Sequence, residues 1–133
     1  MAIDFGDARI GLAVSDESAT LCGDAFTLNE WNLERAADKI VKDAASRGVG
    51  LFVLGYPKNM NGTLGERAEK SEKFKCALES RCDIPVILWD ERRTTISAHE
   101  ILHAKNKKMK NHRESVDAVA ASLILEGYLG SLK

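Results

Sequence analysis

Three acidic positions lie in or beside apolar runs, where a folding chain normally places apolar side chains. Asp4 lies in the opening run, Asp90 and Glu91 end the run 86–89, and Asp117 stands among small and aliphatic residues. Burying a lone carboxylate is costly, so buried acids are usually paired, protonated or bound to a metal. If the fold gathers these acids, they form an oxygen-rich site suited to Mg²⁺ or Mn²⁺.

Such a site has a specific chemistry. Two divalent ions about 4 Å apart can activate a water and stabilise the leaving oxygen when a phosphodiester bond is hydrolysed. Asp90 and Glu91 point to opposite faces of an extended strand, so one of them is expected to join Asp4, and alternation alone leaves both open. Each acid also has a purely structural interpretation, as the cap of a turn or as an acid in the first turn of a helix.

The elements that position these acids follow from hydrophobic periodicity. Apolar runs and period-two alternation predict strands at 1–5, 9–15, 21–28, 51–54 and 85–89. Helical spacing predicts helices at 33–47, 66–80, 95–104 and 115–129, with a polar loop at 55–62 and a basic loop at 105–112. Hairpin strands followed by alternating helices and strands indicate an α/β domain with a mixed sheet.

Size and composition set the broad class. The 133 residues fit a single domain, 1–133, and the 44% hydrophobic and 29% charged fractions are typical of globular proteins. No apolar run reaches the roughly 20 residues of a membrane helix, so we expect a cytoplasmic protein without a membrane partner. The three cysteines form no CxxC pair, which predicts reduced thiols.

Basic residues are unevenly distributed although the net charge is −1. One cluster falls in the predicted loop at 105–112, and a second, Arg92 and Arg93, directly follows the acidic pair. Local patches of this kind bind a phosphate backbone even when the total charge is near zero. The alternative is an ordinary solvated charge run.

Several short segments resemble the YqgF family, also called RuvX. They are Asp4-Phe5-Gly6, Arg9-Ile10-Gly11, Gly55-Tyr56-Pro57, Trp89-Asp90-Glu91-Arg92 and Asp117-Ala118, in order over nearly the whole chain. The resemblance implies a ribonuclease H-like fold, with a mixed five-stranded sheet whose first three strands are antiparallel and which helices flank. It also implies an endonuclease that resolves Holliday junctions, matures the 5′ end of pre-16S rRNA, or does both.

The resemblance also assigns residues. Asp4, Asp90, Glu91 and Asp117 occupy the acidic, metal-binding and catalytic positions, with Mg²⁺ or Mn²⁺ as cofactor. The partner would be structured RNA or branched DNA, and a homodimer would suit junction resolution, which needs two active sites. The residues expected to contact nucleic acid are Arg9, Tyr56, Lys58, Asn59, Arg92, Arg93, Thr94, Lys105, Lys107, Lys108, Lys110 and Arg113.

Two departures from the family pattern stand out. Family members usually carry a few more residues before the first strand, whereas Asp4 here is almost at the first residue. Asn61 stands where an Asp is common, so no acidic role is expected at that loop position.

Three other functions compete with the nuclease. The first is a non-catalytic nucleic-acid-binding module of the same fold. The second is an actin-like or sugar-kinase ATPase, which needs two such domains. The third is a zinc protease, because His99 to His103 spells HExxH. The longer metzincin pattern fails at Asn106 and Met109, so a solvated helix flank explains both histidines better.

Overall fold

The computed structural model describes residues 1–6, 9–15, 22–56, 65–90 and 112–132, without the side chains of residues 22, 66 and 112–117. Within these ranges the chain forms five strands and three helices. In chain order they are β1 (Ala2–Phe5), β2 (Arg9–Ser15), β3 (Cys22–Asn29), α1 (Leu33–Arg47), β4 (Phe52–Tyr56), α2 (Glu66–Glu79), β5 (Val86–Asp90) and α3 (His112–Ser131).

The five strands form one mixed sheet in the order β3-β2-β1-β4-β5. Strands β1, β2 and β3 pair antiparallel, whereas β1 pairs parallel with β4 and β4 pairs parallel with β5. This topology confirms the predicted α/β class and the antiparallel arrangement of the first three strands. The first strand of the chain therefore lies at the centre of the sheet.

Helices cover both faces of the sheet, and each face has its own core. On one face, Ile3 and Leu54 pack with Ile40 of α1 and Phe74 of α2. On the other face, Ala2 and Val53 pack with residues of α3, among them Ala121, Ile124 and Leu125. Because side chains alternate along a strand, β1 and β4 are buried on both sides.

Helix α1 shows how the sequence sets an element's bounds. The Asn32 side chain accepts a hydrogen bond from the Arg35 backbone N–H at 3.0 Å, which caps the first turn. Buried Ala36 and Ile40 belong to the stripe that faces the sheet. Gly48 ends the helix with φ 71°, a left-handed conformation in which glycine is favoured. The predicted helix at 33–47 is confirmed residue for residue.

Most predicted boundaries differ from the structure by one or two residues, and two differ for a physical reason. Strand β4 continues through Gly55 and Tyr56, which the sequence predicts in the polar loop, because they pair with Trp89 and Asp90 of β5. Helix α3 begins at His112, three residues before the predicted start. The residues of its first turn are polar, and polar residues occur in helix ends as well as in loops. The predicted helix at 95–104 and loop residues 57–62 and 105–111 lie outside the described residues.

The turn after β1 requires glycine at position 6. A Cβ atom there would lie 2.5 Å from the carbonyl oxygen of Arg9, well inside van der Waals contact. The chain can therefore return into β2 only if this position has no side chain. This close approach fixes the register in which Asp4 lies opposite Gly11.

We expect Gly6→Ala to lower the free energy of unfolding by about 1–3 kcal/mol, because the new methyl group displaces the backbone of the turn. Urea unfolding followed by circular dichroism measures this change. Gly50→Ala is the matched control, since its added Cβ meets no atom within 4 Å, and its effect should stay within about 0.5 kcal/mol. Equal stability of the two variants would contradict the close approach at Gly6.

Candidate active site

Asp4 lies near the carboxyl end of the central strand, on the face that α3 covers. It follows Ala2 by two residues, and Ala2 belongs to the core beneath α3. Asp4 pairs with Gly11 of β2. Extending the parallel register of Ile3 and Leu54 by one residue brings Gly55 of β4 beside it. The partly buried Asp4 thus has a glycine, a residue without a side chain, on each neighbouring strand.

Trp89 lies on the same face of the sheet as Asp4, two strands away. It pairs with Gly55 in the register of β4 and β5, so it belongs to the same row of residues as Asp4. The indole is 7% exposed and meets the ring of Tyr128 in α3 edge-on, with 6.1 Å between ring centroids. This packing makes Trp89 part of the core beneath α3.

The opposite face holds the ends of β1 and β4 in place. Phe5 stacks on Phe74 of α2, with ring centroids 4.5 Å apart. The Tyr56 hydroxyl donates a hydrogen bond to Glu72 Oε1 at 2.9 Å. Burial, together with this hydrogen bond to the Glu72 carboxylate, raises the pKa of Tyr56. Phe5, which follows Asp4 in β1, and Tyr56, which ends β4, therefore both contact α2.

Tyr56 requires a correction. It was assigned to a loop, where its ring would be free to stack on a base, but it is the last residue of β4 and is only 6% exposed. Its hydroxyl contacts Glu72. Glycine and tyrosine suggested a loop, yet tyrosine is also favoured in strands.

Asp90 lies on the other side of the sheet from Asp4. It pairs with Tyr56, whose side chain contacts α2, and it follows Trp89, which faces α3. Asp4 and Asp90 are thus separated by the sheet itself. The next residue, Glu91, lies outside the described residues.

Asp117 lies in the first half of α3, although its side chain is not described. Four and seven residues later, Ala121 and Ile124 pack on the face that carries Asp4. The end of α3 lies at the opposite edge, where a cavity of about 470 Å³ is lined by Met1 and Leu51 together with Leu125 and Leu129. Helix α3 therefore runs from the carboxyl edge of β1 towards its amino edge.

Among the described residues, no group of three or more His, Cys, Asp or Glu side chains could hold a metal. Asp4 has the donor chemistry that suits a hard divalent cation, because its donors are carboxylate oxygens. His99 and His103, the histidines of the HExxH pattern, fall outside the described ranges.

The predicted nucleic-acid contacts are described only in small part. Arg9 is exposed at the start of β2, at the edge where β1 ends. Arg113 lies in the first turn of α3, but its side chain is not described. The others fall outside the described residues: Lys58, Asn59, Arg92, Arg93, Thr94, Lys105, Lys107, Lys108 and Lys110. In the part of the chain that the structure describes, no helix is both long and apolar enough to cross a bilayer.

Comparison with known proteins gives consistent matches over the full length. A protein from Thermoanaerobacter pseudethanolicus named "Putative pre-16S rRNA nuclease" is 39% identical over 134 residues, covering 100% of this chain and 96% of the relative. A Bacillus subtilis protein of the same name is 39% identical over 138 residues, covering 99% of this chain and 97% of the relative.

The fold also matches a solved structure. Thermus thermophilus RuvC in complex with a Holliday junction substrate superposes with a TM-score of 0.67, covering 98% of this chain and 94% of RuvC, at 12% identity. At this low identity, the superposition shows a common fold and nothing more, and that fold confirms the predicted ribonuclease H-like architecture. The model of the family described as "RuvX: Holliday junction resolvase" matches residues 1–131, and this protein belongs to that family.

Proposed function

We propose that this protein is a divalent-metal-dependent endonuclease that hydrolyses phosphodiester bonds in structured nucleic acid. The observation that carries the proposal is the position of Asp4. It is the one charged residue of the central strand, it lies near the carboxyl edge, and its neighbours on both adjacent strands are glycines, which carry no side chain. Membership of the RuvX family supports the same activity.

Glu91, rather than Asp90, is the second ligand in this proposal. Asp90 belongs to the opposite face of the sheet, together with Tyr56. Side chains alternate along a strand, so one further residue in extended conformation brings the side chain back to the Asp4 face. The alternation therefore favours Glu91 over Asp90 as the second ligand.

Asp117 is the third ligand. Leu129 lines the cavity at the amino edge, and Asp117 precedes it by 12 residues, which is about 18 Å of helix. Three residues of β1 separate Met1 from Asp4, which is about 10 Å of strand. Both acids thus lie towards the carboxyl edge of β1, where their carboxylates could share a pair of cations.

Asp4, Glu91 and Asp117 would hold the cations. When bound, the cations would supply the means to deprotonate a water and to neutralise the leaving oxygen. Asp4, on the rigid central strand, would set where the cations, and through them the scissile phosphate, are held.

The substrate favoured by the comparisons is a precursor of 16S rRNA. Relatives with that name share up to 39% identity over the whole chain, whereas the junction-bound RuvC shares 12%. A four-way DNA junction is the second candidate, because the family description and the RuvC complex both refer to Holliday junctions. Cleavage of matched precursor-rRNA and junction substrates with Mn²⁺ or Mg²⁺, with EDTA as control, tests both.

We expect Asp4→Asn to reduce the cleavage rate by at least about 100-fold, because a bound cation contributes several kcal/mol to the transition state. Substrate affinity should remain within about threefold, since phosphate contacts dominate binding. Asp83→Asn is the control, because Asp83 is an exposed acid before β5, at the opposite edge of the sheet. Single-turnover cleavage and fluorescence anisotropy measure the two quantities. Undiminished cleavage by Asp4→Asn would refute the site.

Glu91→Gln and Asp90→Asn separate the two neighbouring acids. We expect Glu91→Gln to reduce cleavage as strongly as Asp4→Asn, whereas Asp90→Asn should retain at least a tenth of the rate because its side chain belongs to the other face. In a titration with Mn²⁺, only Glu91→Gln should need a higher Mn²⁺ concentration for half-maximal cleavage. The reverse ranking would mean that β5 does not stay extended beyond Asp90.

The basic loop is proposed to hold phosphates that flank the cut. Replacing Lys107 and Lys108 with alanine should weaken binding, and it should lower the slope of log affinity against log salt by about 0.7–0.9 for each lost phosphate contact. The control replaces Lys42 and Lys73, exposed lysines of α1 and α2, with the same change in net charge. Identical salt slopes for the two double variants would exclude a specific role of the loop.

A further inference from the structure

Trp31 is the most exposed large apolar side chain in the described part of the chain. Its exposed fraction is 85%, whereas that of Trp89 is 7%. Leaving an indole in water forfeits the largest apolar burial available to any side chain, and tryptophan is strongly enriched where proteins bind partners. The position therefore calls for an explanation outside the core.

The indole of Trp31 makes little contact with the elements around it. Trp31 precedes the N-cap residue Asn32, a position from which an apolar side chain often packs on the fourth helical residue. That residue is Ala36, which is 1% exposed and faces the core between α1 and the sheet. Trp31 instead remains exposed to solvent. The contact that would tuck the ring against α1 is thus not made.

Trp31 lies at the same edge of the sheet as the candidate active site. It follows β3 by two residues, and Asn29, the last residue of β3, pairs with Arg9 directly after the turn from β1. In register, Asp4 faces Gly11 and Gly11 faces Thr27. Two strand spacings across and four residues along give at most about 16 Å between the α-carbons of Asp4 and Trp31.

Among the described residues near Trp31, one cation is left unpaired by the fold. The acids of this region have partners, since Glu30 pairs with Lys39 at 3.6 Å and Arg81 pairs with both Glu34 and Asp38. Arg35, in the first turn of α1, is exposed and has no ion pair with any residue that the structure describes. An exposed aromatic ring and an unpaired guanidinium four residues further on are the kinds of group that bind single-stranded bases and their phosphates.

We propose that Trp31 is a stacking platform for an unpaired base of the nucleic-acid substrate, with Arg35 binding the adjacent phosphate. The inference rests on the proposed function for the position of the cut. At 3.4 Å per stacked base, 16 Å corresponds to about five nucleotides from the scissile phosphate. The platform would thus select substrates with an unpaired segment at this distance from the cleavage site.

Binding is measured in the Asp4→Asn background, so that the substrate stays intact. The probe is an oligonucleotide duplex with a single-stranded extension, labelled for fluorescence anisotropy. We expect Trp31→Ala to raise Kd by about 5- to 100-fold and Trp31→Phe to restore it to within about threefold, because stacking needs a ring and not an indole. Leu132→Ala is the control, since Leu132 is 63% exposed and lines the cavity at the opposite edge.

Quenching of tryptophan fluorescence by acrylamide gives an independent readout. Trp31 should dominate quenching in the free protein, because Trp89 is buried, and saturating oligonucleotide should protect it. Protection of Trp31 that grows with protein concentration in the absence of oligonucleotide would show a second copy on this surface and would overturn the inference.

The two proposals fail in different ways. A Kd for Trp31→Ala within twofold of its parent overturns the stacking platform, even if the protein with Asp4 intact cleaves the substrate. Binding that depends on Trp31, without any Mn²⁺- or Mg²⁺-dependent cleavage by the unaltered protein, supports the platform and overturns the nuclease.

Discussion

The whole arrangement depends on the burial of β1 between two strands and two layers of helices. Its backbone pairs with β2 and β4, and its side chains alternate between two separate cores. A strand held on all four sides has almost no freedom to turn or slide. Asp4, as the charged residue in this strand, therefore has a direction fixed by the packing of Ala2, Ile3 and Phe5 around it.

The two faces of the sheet differ in the side chains that pack on them. On the α1 and α2 face, large rings fill the space and Tyr56 contacts Glu72, so this side supplies rigidity. On the α3 face, Asp4 lies beside Gly11 of β2, and Trp89 packs against Tyr128. The face that carries Asp4 is thus the one on which its strand neighbours have no side chains.

Much of this fold was predictable from the sequence, because local signals coincide with tertiary demands. Helix α1 was located to the residue by its apolar spacing and Gly48. The end of β4 was missed because Gly55 and Tyr56 are in a strand only through pairing with β5. The choice between Asp90 and Glu91 depended on the same long-range register. The exposure of Trp31 contradicts its hydrophobicity, and no local pattern in the sequence indicates it.

The central position of the first strand has a consequence for synthesis on the ribosome. The antiparallel strands 2–29 can associate as soon as they emerge, but the parallel partner of β1 begins only at Phe52. Until β4 emerges, β1 presents an open hydrogen-bonding edge, and until α3 emerges, the apolar face that α3 covers stays exposed. A chain cut short before α3 would therefore expose an apolar sheet face, a feature that makes partly folded chains prone to aggregate.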